Sequence, residues 1–389
     1  MTPIRFDTKK SSLPAGRRGI DWLAFGVALA LALLGALTMN SFQAQDPFFL
    51  RQILWISIGV AVFFIASGVD WRFLRRGGVA ATLFFAVLIP LVVLVVAGTA
   101  TKGAKSWFDL GGFALQPVEF VKLALIIALA KYFSRRHIEI ANIRHILISG
   151  AYAAIVFVLV ALQPDFGSAI IISLIWLGMV LLSGISRRHL FTVIAVGAVA
   201  FSGLWLFGFQ DYQKTRILTF LHPLADIRGA GYNAYQSTVA VGSGELLCKG
   251  IGYGTQSKLR FLPEYQTDFV FAAFAEEWGF VGVVLLFVLY GVLFWRIIVS
   301  SMRGATNFET LFALGVLCYF SAHFILHVGI NVGVLPVTGT TIPFMSYGGS
   351  HLLAEFFALG MISGMARYAL AGRRSEGGEW SGGYESAGS

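Results

Sequence analysis

Apolar runs of roughly 18 or more residues recur along this chain between short polar turns, and each is long enough to cross a bilayer as a helix. The pattern predicts ten spans, at 20–39, 52–68, 79–98, 117–133, 146–162, 167–184, 190–208, 268–295, 308–334 and 343–368. The runs are rich in Leu, Val, Phe and Ala and lack strict two-residue alternation, so they predict helices rather than the strands of a barrel. The expected fold is an all-α integral membrane protein, with one long loop, 209–266, between the seventh and eighth spans. Residues 1–19 form a tail before a membrane domain at 20–370, and 371–389 is a low-complexity tail expected to be disordered.

Composition agrees with this division. Hydrophobic residues make up 57% of the chain and charged residues only 13%, against about 25% charged in a soluble domain. Segment 1–19 holds five basic residues and leads into a span without an evident cleavage site, so it reads as a cytoplasmic tail and not as a removed signal. With both ends in the cytoplasm, the cytoplasmic segments collect 19 of the 29 Lys and Arg residues and the outer segments nine; Lys122 falls inside a span. That asymmetry sets the orientation. The net charge of +9 therefore reflects topology and contact with membrane lipids, and gives no case for nucleic acid. Cys248 and Cys318 sit in an outer loop and a span, too far apart in topology to predict a disulfide. No Walker motif, CxxC pair or HExxH sequence is present.

The stretch with most chemistry is 261–282, FLPEYQTDFVFAAFAEEWGFVG, where a polar loop becomes an apolar helix carrying Asp268, Glu276 and Glu277. Acids at the mouth of a span are costly to bury, which makes them functional candidates. Thr267 is placed to cap the helix, which would put Asp268 in its first turn, where the macrodipole favours the ionised form. Asp268 then reads either as a cap or as a general base at the membrane surface. Glu276 lies about 12 Å further along a helix at 1.5 Å per residue, too far to act on the same atom, and reads as structural.

The loop 99–116 places Lys102, Lys105 and Asp109 among Trp107, Phe108 and small residues, so its backbone must line a wet cavity or pack against protein. Glu119 and Lys122 follow three residues apart on one helix face, as an ion pair or with Lys122 free to attract a phosphate. Asp165, in LQPDFGS, either caps the sixth span or turns inward toward Lys122 or a cation. In the long loop, 232–242 is weakly amphipathic and predicts a re-entrant or interfacial helix. A glycine-rich stretch with Lys249, Lys258 and Arg260 follows, a combination suited to an anion. The last outer loop, 332–350, breaks the helical pattern with prolines, glycines and threonines in apolar surroundings.

Four blocks carry a resemblance over nearly the whole chain: GAKSWFDLGGFALQPVEFVKLAL, QPDFGSA, QSTVAVGSGELLCKGIGYGTQSKLRFLPEYQTDFVFAAFAEEWG and GVLPVTGTTIPFMSYGGS. Together they resemble the SEDS family of shape, elongation, division and sporulation proteins, on its RodA side. The resemblance implies a peptidoglycan glycosyltransferase that polymerises lipid II at the outer face of the bacterial cytoplasmic membrane, with a class B penicillin-binding protein and other elongation or division proteins as partners. The acid of the family's TDF motif falls on Asp268, the implied catalytic residue. Trp107, Glu119 and Lys122 match a functionally sensitive block, and Asp165, Lys249 and Gln256 match positions nearer the outer cavity. Lys122, Arg216, Lys249, Lys258 and Arg260 are the cations available to the departing pyrophosphate, with a divalent Mg or Mn ion as a further candidate. Glu245 and Cys248 stand where the family often has Gly, and Gln266 where it commonly has His; a neutral amide cannot shuttle a proton as His can. Two other classes fit ten spans with polar residues at depth: a flippase for a lipid-linked precursor, and a scaffold for cell-wall partners. The acids and glycine loops cluster on the outer side, whereas a carrier needs access from both faces.

Overall fold

The computed structural model describes residues 20–40, 47–97, 106–109, 114–135, 143–222, 231–246 and 264–381, together with 229, 250, 252–254, 256, 259, 261 and 262. In chain order its helices are α1 (Trp22–Asn40), α2 (Pro47–Gly68), α3 (Val79–Ala97), α4 (Pro117–Ser134), α5 (Ile143–Ala161), α6 (Phe166–Leu182), α7 (Arg187–Gly203), α8 (Asp211–Leu221), α9 (Tyr232–Ser243), α10 (Val270–Met302), α11 (Asn307–Asn331) and α12 (Gly349–Ser381). Among the described residues, eight helices are long and apolar enough to cross a membrane, α7 counting together with the π turn Leu204–Gly208 that extends it. Helix α6 is apolar but slightly shorter, at 17 residues. Helix α4 completes the ten and stands apart because it carries Glu119, Lys122 and Lys131. The all-α fold with ten spans follows.

Helix α4 is enclosed on every side and sits at the centre. Its residues from Pro117 to Ala130 are buried almost without interruption, as expected of a helix enclosed by others. Helices α11 and α12 pack against it, and α12 also lies along α2. Close approach depends on glycine at two contacts: a Cβ at Gly35 of α1 would strike the Met345 carbonyl, and one at Gly315 of α11 would lie 2.6 Å from Ile126 of α4. At one end of the bundle, Arg296 of α10 binds Asp21 at 2.7 Å and ties the start of α1 to the chain 275 residues later.

Several element bounds depart from the sequence reading. The eighth span starts at Val270, and it is bent at Gly279, whose φ of +64° and ψ of −171° are open to glycine but strained for other residues. The last helix, α12, runs from Gly349 to Ser381, where the sequence predicts a span at 343–368. Helix α9 falls where a helix was expected at 232–242; it packs on α10 and α11 and buries Ser237 and Ala240. In loop 99–116, Phe108–Asp109 and Ala114–Leu115 pair as a minimal antiparallel ladder.

Candidate functional site

Asp268 does not sit in the first turn of α10. The helix begins at Val270 with Phe269 as N-cap, which has no side-chain oxygen to offer. Thr267 turns back instead, its hydroxyl 3.4 Å from the Glu264 carbonyl. That carbonyl also accepts the N–H groups of Thr267, Asp268 and Phe269 at 3.1–3.3 Å, a tight turn around Glu264 at φ +50° that ends before the helix starts. Asp268 is thereby displayed just ahead of the helix, half-buried.

The turn is pinned from the segment that follows α11. The carbonyls of Gln266, Thr267 and Asp268 accept in succession from the Tyr347 N–H at 2.8 Å, the Ser346 hydroxyl at 2.8 Å and the Asn331 amide at 3.0 Å. Ser346 is held in turn by the Ile342 N–H at 2.9 Å. Gly339 of the same segment has φ +72°, and a Cβ built there would lie 3.4 Å from Asp268 Oδ2. The carboxylate therefore lies against a backbone position that carries no side chain.

Behind this segment is a buried polar network absent from the sequence reading. Tyr319, His323, His327 and Asn331 repeat every four residues along α11, so they share one face, and all four are buried. His323 Nδ1 meets the Thr341 carbonyl at 3.0 Å and His327 Nδ1 meets the Thr340 carbonyl at 2.7 Å. A carbonyl only accepts, so each ring carries its proton on Nδ1. His323 Nε2 is then the acceptor for the Lys122 ammonium, 3.2 Å away. Lys122, only 1% exposed, binds Glu119 Oε1 at 2.8 Å, and Tyr319 donates to Glu119 Oε2 at 2.8 Å. His351 stands between two acids, Nδ1 3.0 Å from Glu119 and Nε2 2.9 Å from Glu355. Glu355 also accepts the Phe344 N–H at 2.7 Å, fixing that residue at φ +62°.

The remaining sequence candidates divide. Asp165 caps α6, accepting from the Ser168 N–H at 3.0 Å, and receives the Gln116 amide at 3.2 Å; it does not turn to Lys122, which is engaged by Glu119 and His323. Gly167, in the first turn of α6, abuts the carbonyl of Thr338 and the methyl of Thr340, so Asp165 and Asp268 are supported by the same loop. Trp107 is half-buried beside Ser106, whose hydroxyl reaches the Gln163 carbonyl at 3.5 Å. The Gln256 N–H donates to Glu276 at 3.0 Å and the Gly252 N–H to Glu277 at 2.8 Å, so both acids anchor the glycine-rich loop. Arg216 is exposed on α8. Lys249, Lys258, Arg260 and Cys248 lie outside the described residues.

Among the described residues, Glu119, His323 and His351 bring ligand atoms within 4.8 Å of one another, close enough for a metal. The Lys122 ammonium already stands between two of them, so the cluster does not suit a divalent ion. A cation bridging substrate phosphates finds no other assembled ligand set among these residues.

Sequence relatives agree with this architecture. Residues 19–370 match the family of FtsW, RodA and SpoVE, described as cell cycle proteins. The chain is 35% identical to peptidoglycan glycosyltransferase MrdB of Escherichia coli K12, over 86% of this chain and 90% of the relative. It is 32% identical to stage V sporulation protein E of Bacillus subtilis, over 93% and 99% of the two chains. One solved neighbour, from a peptidoglycan synthase complex studied for polymerization and crosslinking, superposes with a TM-score of 0.77 at 31% identity, over 90% of this chain and 98% of its own. RodA of Thermus thermophilus, a rod shape determining protein, gives 0.67 at 30% identity, over 90% and 97%. This chain is a multi-pass bacterial membrane protein and belongs to the FtsW, RodA and SpoVE family, the SEDS proteins.

Proposed function

We propose that this chain is a peptidoglycan glycosyltransferase that polymerises lipid II, with Asp268 as its general base. The observation that carries the reading is the Asp268 turn. A half-buried carboxylate ahead of a membrane helix, its backbone pinned at three consecutive carbonyls, is prepared for one task at one place. The acceptor sugar's 4-hydroxyl attacks the anomeric carbon of the donor as Asp268 takes the hydroxyl proton. The bond from that carbon to the phosphate oxygen breaks, and undecaprenyl pyrophosphate leaves with the electron pair. A positioned base contributes about 10²–10⁴-fold. The leaving group is already stable, so no second carboxylate has to act as acid.

Arg216, Lys249, Lys258 and Arg260 are the cations assigned to the departing pyrophosphate. Lys122 has a different part: its ammonium is spent on Glu119 and His323, so it holds the scaffold behind Asp268. Trp107, Gln256 and Asp165 shape the loops around the same mouth. The excess of Lys and Arg on alternate loops supports an orientation with both termini in the cytoplasm and Asp268 on the outer side. Similarity to a chain of a peptidoglycan synthase complex supports a class B penicillin-binding protein as partner, and the MrdB and RodA relatives favour a role in cell shape.

Incubation of the purified chain with labelled lipid II, with and without its partner, tests the reading. Glycan strands support it; movement of lipid II across vesicles with no strands formed would replace the enzyme by a flippase.

A further inference from the structure

We propose that Asn331 is the positioning residue of Asp268, an inference that rests on the glycosyltransferase reading. Asn331 ends α11 and is fully buried, yet its side chain forms three hydrogen bonds. Its amide donates to the Asp268 carbonyl at 3.0 Å and to the His327 carbonyl at 2.8 Å, while Oδ1 accepts the Ala272 N–H at 3.0 Å. Its own carbonyl accepts the Ser237 hydroxyl of α9 at 2.9 Å.

The Ala272 contact explains how α10 starts without a capping side chain. Ala272 is the third residue of the helix, and its N–H is one of the amides left without an intrahelical partner. The N-cap residue ordinarily supplies an oxygen to it, and Phe269 cannot. Asn331 supplies that oxygen from another helix and in the same side chain grips the carbonyl of Asp268. The Asp268 backbone and the start of the helix are thus tied to α11 as one unit. Only a primary amide of this length offers an acceptor toward Ala272 and donors toward both carbonyls. Aspartate keeps the acceptor but loses both donors, and serine is too short to span the set.

Because Asn331 acts through Asp268, its loss should slow the chemical step while substrate binding persists. Misplacing a catalytic group by about 1 Å can cost on the order of 10²-fold. For the full chain with its partner, kcat and KM for lipid II polymerisation would be measured for wild type, Asn331→Asp and Asn331→Ser, with a melting curve for each. The expected result is a fall in kcat of about 10- to 100-fold with KM changed less than about twofold, in either variant that folds. A folded variant with wild-type kcat, or one whose loss lies in KM, overturns the inference. If both variants fail to fold while Asp268→Asn folds, Asn331 is a folding residue and the inference is overturned too. No polymerisation by wild type would instead sink the enzymatic reading and leave the geometry of Asn331 standing.

Discussion

Asp268 and Gly339 lie face to face: the Asp268 Oδ2 oxygen stands 3.4 Å from where a Cβ on Gly339 would be. Gly339 also holds φ +72°, a conformation that costs a residue with a Cβ about 1–2 kcal/mol. Gly339→Ala therefore strains the loop that backs the carboxylate, while its methyl makes ordinary van der Waals contact with Oδ2. Polymerisation should drop roughly tenfold, the rate equivalent of about 1.4 kcal/mol, with folded protein still recovered. Wild-type rates from this variant would show that the carboxylate does not use that space.

The Glu119–Lys122 pair predicts a pattern of stability. Removing one member, as in Glu119→Gln or Lys122→Met, leaves the other charge in the core and should cost about 3–5 kcal/mol. The double variant, with no net charge stranded, should recover much of that loss, as a contacting pair does in a double-mutant cycle. Thermal melting of the purified protein reads the difference. Additive losses would mean that the two side chains do not depend on each other.

Glu245 occupies φ +52°, and its carbonyl accepts the Phe280 N–H at 2.9 Å beside the bend at Gly279. A left-handed conformation is unfavourable for glutamate by about 1 kcal/mol and costs glycine nothing in steric terms. Glu245→Gly should therefore raise the melting temperature by roughly 1–2 °C in a chain of this size, and Glu245→Val should lower it. The opposite order would mean that backbone strain at Glu245 does not limit stability.

The spans were legible because burial in lipid requires long apolar runs, and ten such runs cannot be hidden by local propensity. The Glu119–Lys122 pair could be read from its three-residue spacing, and the structural role of Glu276 from its distance along the helix. The cap of α10 does not follow from the local sequence. Thr267 has the right side chain in the right place, but Glu264 folds the chain into a separate turn first, and the cap comes from Asn331. No local pattern records a partner 59 residues away. The polar face of α11 is hard to recognise from sequence alone. Tyr319, His323, His327 and Asn331 look like isolated polar residues in an apolar run until their four-residue spacing is noticed. His351 and Glu355 repeat the same spacing on α12. Their meaning depends on which helices meet, and that is a property of packing.

The most direct measurement compares glycan synthesis from lipid II by wild type and by Asp268→Asn, each with its partner and each shown to be folded. Asparagine keeps the size of the side chain and cannot take the hydroxyl proton. The account predicts strands from the wild type and at least about 10²-fold less from the variant. Equal synthesis by the two would mean that the proton leaves by another route and that Asp268 is not the base.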